Sequence, residues 1–123
     1  MKICWATINV NNLEKSLKFY QEIIGLSVDR RFKAGPDTEI VFLGDGETKL
    51  ELISDKTVKE ISIGLDISLG FEIESVDKML LILKEKNIEI YSGPFQPNPY
   101  IKFLYILDPS GLKVQLVENI NVP

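Results

Sequence analysis

Apolar and polar positions alternate along the first ten residues. Cys4, Ala6, Ile8 and Val10 fall on one face of an extended segment and Trp5, Thr7 and Asn9 on the other, the period of two expected of a strand buried on one side. The period then becomes helical. Leu13, Leu17, Tyr20 and Ile24 recur at helical spacing behind Asn11 and Asn12, either of which suits an N-cap, and Gly25 stops the run. Glu14 and Lys18 are spaced for a favourable pair on the wet side of this helix. A strand is predicted over 26–33, the Ala34-Gly35-Pro36-Asp37 segment breaks regular structure, and apolar runs at 39–43 and 48–53 around Gly44-Asp45-Gly46 predict a hairpin. Residues 54–66 read as a connector.

The same order then recurs. Leu69, Phe71 and Ile73 alternate as Ala6, Ile8 and Val10 do, and Ser75 is placed to cap a helix carrying Val76, Met79, Leu80 and Leu83, whose basic end holds Lys84 and Lys86 and which Asn87 closes. A strand is predicted near 88–92. It leads into Gly93-Pro94-Phe95-Gln96-Pro97-Asn98-Pro99-Tyr100, read as a loop because three prolines forbid helix and leave little room for a ladder. Phe95 and Tyr100 at its ends either cover a site as a lid or anchor the loop. Runs at 101–107 and 112–118 around Asp108-Pro109-Ser110-Gly111 predict a second hairpin. Val10 and Ile73, like Leu17 and Leu80, lie 63 residues apart; Leu50 and Val114, like Leu52 and Leu116, lie 64 apart. The pattern is therefore α+β, two tandem βαβββ modules over 1–54 and 66–119 within a single domain of 1–123, and two copies are too few for a solenoid.

Composition alters this picture mainly by what it removes. A chain of 123 residues, 45% apolar, is large enough for a real core. With 18 acidic against 14 basic residues and a net charge of −4, it shows no basic footprint for nucleic acid or an anionic membrane. The single cysteine excludes an internal disulfide and suits a reducing compartment. No basic segment with an apolar run opens the chain and no stretch reaches bilayer length, so the expected location is cytoplasmic. The absence of histidine is the sharpest exclusion: His or Cys zinc sites and Ser-His-Asp or Cys-His catalysis are ruled out, while a carboxylate metal site survives.

Packing each helix on one side of a four-stranded sheet leaves the other side to line a concavity. Strand phase places Trp5, Thr7 and Asn9, then Lys49, Glu51 and Ile53, on that open side of the first module, and Ser68, Gly70 and Glu72, then Lys113, Gln115 and Val117, on that of the second. Apolar walls with a few polar groups are the usual lining of a small-molecule pocket. Trp5 is either a large core residue or a floor on which a planar or cationic ligand stacks. Glu51 is either a strand charge paired with Lys49 or Lys113, or an acceptor for ligand groups, and Glu72 has the same two readings. Ser68 and Gln115 can donate and accept hydrogen bonds, Thr7 and Asn9 share the phase, and Tyr105 can add an aromatic wall. The two arginines, Arg30 and Arg31, read either as a clamp for an anionic ligand or as a solvated pair; being adjacent in a strand they point to opposite sides, which favours the solvated pair over a shared bidentate site.

The run Ile8-Asn9-Val10-Asn11-Asn12-Leu13-Glu14-Lys15-Ser16-Leu17-Lys18-Phe19-Tyr20 with Ile24-Gly25-Leu26 resembles the opening of the vicinal oxygen chelate superfamily of glyoxalases, bleomycin-resistance proteins and extradiol dioxygenases. Leu50-Glu51-Leu52-Ile53 and the stretch from Asp108 to Val117 resemble its remaining landmarks. The resemblance implies paired modules forming a curved mixed sheet with a U-shaped cup and helices outside, a homodimer, and, in metal-dependent members, a divalent ion held by His, Gln or Glu. The matching positions here are Trp5, Glu51, Ser68 and Gln115. Trp5 cannot coordinate and Ser68 is a weak ligand, so no metal or other cofactor is expected.

Three functions follow. The leading one is a bleomycin-resistance-like protein whose cup binds a small amphipathic antibiotic or metabolite without metal, the acidic Glu51 and Glu72 favouring a cationic ligand. A metal-dependent lyase, isomerase or epimerase of the glyoxalase type would use Glu51. A non-enzymatic interaction module with a vestigial cup is the third.

Overall fold

The computed structural model describes residues 1–121 and divides into two compact units, the first Met1–Ser62 and the second beginning at Ile63. The first contains β1 (Trp5–Asn9), α1 (Leu13–Lys18), β2 (Val28–Lys33), β3 (Thr38–Leu43) and β4 (Lys49–Asp55). Its sheet has the order β1-β4-β3-β2, with β1 parallel to β4 and the other pairs antiparallel. The second contains β5 (Ser68–Glu72), α2 (Val76–Glu85), β6 (Ser92–Asn98), β7 (Ile101–Leu107) and β8 (Lys113–Asn119), in the order β5-β8-β7-β6 with the same senses. Each unit is thus a βαβββ module, and the fold is α+β.

Of the two asparagines able to cap α1, Asn12 does so: its side chain accepts from the Lys15 amide at 3.1 Å. The helix continues over Phe19–Ile24 as π-helical turns and ends at Gly25, whose φ of 86° suits a residue without Cβ. These wider turns redirect the last side chains relative to a continued α-helix. Ile23 is accordingly buried, while Ile24, which α-spacing placed on the inner face, is half-buried. Leu13, Leu17 and Tyr20 pack with Ile8, Val41, Leu43, Leu50 and Leu52 as the core of this unit. The Ser16 hydroxyl lies in the same layer without a hydrogen-bond partner.

In the second unit Ser75 caps α2, accepting from the Lys78 amide at 3.2 Å, and Glu118 accepts from the Val76 amide at 2.7 Å. Val76, Met79 and Leu83 pack against Leu104, Ile106, Val114 and Leu116.

Three expectations are corrected here. Residues 88–91 are not a strand, and the proline-rich segment is not a loop: Ser92–Asn98 form β6, paired to β7 at Ser92↔Tyr105, Phe95↔Phe103 and Asn98↔Ile101 with register shifts between. An edge strand needs donors on one side only, so prolines that cannot donate are tolerated where the ladder is interrupted. Glu14 also takes a different partner from Lys18, meeting Arg31 of β2 at 2.6 Å.

Candidate functional site

Cross-strand register decides which side chains share the sheet face opposite α1. Trp5 pairs with Lys49, Thr7 with Glu51 and Asn9 with Ile53, so the four first-module candidates, Trp5, Thr7, Asn9 and Glu51, stand on one face. Phe42, opposite Glu51 on β3, joins them. Glu51 is 9% exposed, and its Oε1 accepts the Thr7 hydroxyl at 2.6 Å. A carboxylate this deep needs such a donor, because leaving it unpaired costs more than the bond itself contributes. Lys49, suggested for it from the sequence, is engaged elsewhere. Lys49 donates to the Gly44 carbonyl at 2.7 Å and lies 3.8 Å from Asp29.

Trp5 is 46% exposed, which removes its reading as a core residue. Its ring meets Phe42 edge-on at 5.1 Å between centroids, and Phe32 stacks on the other side of the cluster at 6.3 Å. The Arg30 guanidinium lies 4.3 Å from the centre of the Phe42 ring. Phe32 and Phe42 are residues that sequence reading missed, and the place of Arg30 on this face was missed with them. Phe42 was within reach, because it alternates with Val41 and Leu43; Arg30 and Phe32 were not, because a register shift between Val28 and Arg30 reverses the facing of β2.

On the open face of the second unit, Tyr105 stands opposite Gln115 and Phe103 opposite Val117. Phe103 contacts Tyr105 at 5.8 Å and Phe95 at 5.5 Å, and the Lys113 ammonium lies 5.2 Å from the Tyr105 ring centre. Phe95 is thus anchored within a strand, and the lid reading of 93–100 is set aside. Gly70 faces Gln115, and a Cβ there would lie 3.4 Å from the amide oxygen, at the near limit of ordinary contact. Ser68 and Glu72 sit at the two ends of β5, opposite Lys113 and Val117, and are not gathered around Tyr105 and Gln115. Glu72 accepts from the Asn119 side-chain amide.

Of the four positions implied to hold a metal, Trp5 offers no lone pair and Ser68 only a neutral hydroxyl, which leaves the Glu51 carboxylate, whose Oε1 accepts the Thr7 hydroxyl, and the Gln115 amide. Among the described residues no group of three or more His, Cys, Asp or Glu side chains can hold an ion. A separate cleft of about 200 Å³ is lined by Asn12, Glu14, Lys33, Asp37, Thr38 and Lys56 among others, and none of Trp5, Thr7 or Glu51 borders it. No helix among the described residues is long and apolar enough to cross a membrane.

Residues 2–116 match the model of the Glyoxalase/Bleomycin resistance protein/Dioxygenase superfamily. The chain is 32% identical over 129 aligned positions to lactoylglutathione lyase of Oryza sativa subsp. japonica, covering 95% of this chain and 44% of that protein, so it spans less than half of that relative's length. The glyoxalase family protein from Bacillus cereus has a similar fold, with a TM-score of 0.84 at 21% identity over 98% of this chain and 95% of that one. TnmS3, an antibiotic binding protein from Streptomyces sp. CB03234, gives a TM-score of 0.74 at 19% identity over 97% of this chain and 96% of that one.

Proposed function

The chain belongs to the glyoxalase/bleomycin resistance protein/dioxygenase superfamily, and from that premise we propose that it binds a small amphipathic molecule, an antibiotic or metabolite, without a metal. One observation carries this reading: Trp5 stands 46% exposed at a position where the resemblance implies a metal ligand, and forms an aromatic floor with Phe42 and Phe32 beside the deep carboxylate of Glu51. Such a surface holds a ligand by apolar contact and orients it by a few polar groups. Trp5 supplies stacking area, Glu51 and Thr7 the acceptor and hydroxyl, and Asn9 a further polar contact. The open face of the second unit offers Tyr105 and Gln115 for a contact of the same kind, with Ser68 and Glu72 at the ends of β5. The shared fold with an antibiotic binding protein supports the binding class. The protein acts in this reading as a cytoplasmic homodimer.

Trp5 is the sole tryptophan, so its emission reports on this face directly. Titration with amphipathic antibiotics and aromatic metabolites in the presence of EDTA is expected to give a saturable change, and Phe32→Ala to weaken it about fivefold, the loss of one aromatic contact. Absence of saturation with any ligand overturns the reading. Saturation that requires a divalent ion transfers support to the second reading, a glyoxalase-type lyase, isomerase or epimerase using Glu51, which the similarity to lactoylglutathione lyase favours.

A further inference from the structure

The two arginines of this chain stand side by side and have opposite fates. Arg31 pairs with Val41 on the helix side of the sheet, where its Nε donates to Glu39 and its Nη2 to Glu14, both at 2.6 Å. Its hydrogen-bonding edges are thus engaged within the unit. Arg30 is sent the other way by the bulge in β2. Val28 pairs with the buried Leu43, so simple alternation would turn Arg30 toward the helix; the shifted register pairs it with Phe42 instead.

The guanidinium carbon of Arg30 lies over the Phe42 ring, 4.3 Å from its centre, a cation–π contact. Its ion-pair contact to Asp29 is at 4.0 Å, beyond hydrogen-bond length, and its side chain is 58% exposed. The other cation of this face, Lys49, is tied to the Gly44 carbonyl. Glu51 is 9% exposed and already accepts the Thr7 hydroxyl. Beside the aromatic cluster, the charged group without a hydrogen bond of its own among the described residues is therefore the Arg30 guanidinium.

We propose that the ligand of this face carries an anionic oxygen group, a carboxylate, sulfonate or phosphate monoester, on a planar apolar body that lies against Trp5 and Phe32 while the anion takes the N–H edge of Arg30. The inference rests on the reading that this face binds a small molecule, and replaces the expectation of a cationic ligand drawn from Glu51 and Glu72. A planar fork matched to two oxygens is the group that distinguishes carboxylate and phosphate from neutral amides.

The test uses three ligands with one aromatic body: 2-naphthoate, 2-naphthamide and 2-naphthylmethylammonium, each titrated into the unaltered protein while the Trp5 indole N–H is followed by NMR. Naphthoate is expected to bind about tenfold more tightly than the amide, the size of one charge-assisted contact at a partly exposed site. Arg30→Gln should bring naphthoate to the level of the amide while changing the amide by less than about twofold, because only the charged contact is removed. Equal affinity for anion and amide, tighter binding of the ammonium, or equal losses of both ligands in Arg30→Gln overturns the anionic class and leaves the face a binding site. No perturbation of Trp5 by any of the three overturns the binding reading itself, and this inference with it.

Discussion

Thr7 and Glu51 face each other across the parallel β1–β4 pair, and a 2.6 Å bond joins them beside the aromatic cluster of this face. Thr7→Val keeps the shape and the strand preference but removes the donor. It is expected to lower unfolding stability by about 1–2 kcal/mol, since a nearly buried carboxylate loses a hydrogen bond that nothing else replaces; urea denaturation measures it. An unchanged midpoint would mean that water supplies the missing donor. Trp5, Thr7, Asn9 and Glu51 were legible on this face because strand alternation depends on the chain alone. Arg30 was not, because which side it occupies depends on one extra residue in β2 relative to β3, and pairing is not written in the local pattern.

Among the elements, β2 is tied to α1 and β3 through Arg31, which bridges Glu14 and Glu39 at 2.6 Å each. The hydrogen bond from Arg31 holds the Glu39 carboxyl below its ordinary value, and the pairing raises the already high pKa of Arg31. The native state therefore binds fewer protons than the unfolded chain between the lowered and the ordinary carboxyl value. The contribution of this bridge is full above the ordinary value and is lost as pH falls through the lowered one. Arg31→Met is expected to flatten that part of the acid limb in a pH series of thermal unfolding; an unchanged limb would show that this exposed pair contributes nothing, as many surface bridges do. The helices and hairpins were readable from caps and periodicity. The π-helical end of the first helix and the bulged, proline-bearing β6 were not, since both depend on what the neighbouring element supplies.

For the whole molecule, the repeated βαβββ order gives each unit its own core and its own open face, each bearing an aromatic cluster with a cation against one ring. Metal-independent binding makes a thermodynamic prediction. Adding Mg²⁺, Mn²⁺ or Ni²⁺, or removing metal with EDTA, should leave Tm unchanged, whereas ligand at a hundred times its Kd should stabilise by about 2.7 kcal/mol through mass action. A metal-dependent rise in Tm, with stoichiometric metal in the purified protein, would favour the lyase reading instead.

Local periodicity, caps and the 63- and 64-residue offsets determined the class of fold, the order of its elements and the strand phase of Trp5 and Glu51, because those follow from short-range geometry along one chain. The lack of histidine likewise set which ligands and catalytic groups the chain does not possess. The tertiary structure alone decided that Glu51 takes its donor from Thr7, that Arg31 is engaged by Glu14 and Glu39, and that Arg30 lies on the aromatic face. Those outcomes depend on register between strands far apart in sequence, where a shift of one residue exchanges the two faces of the sheet.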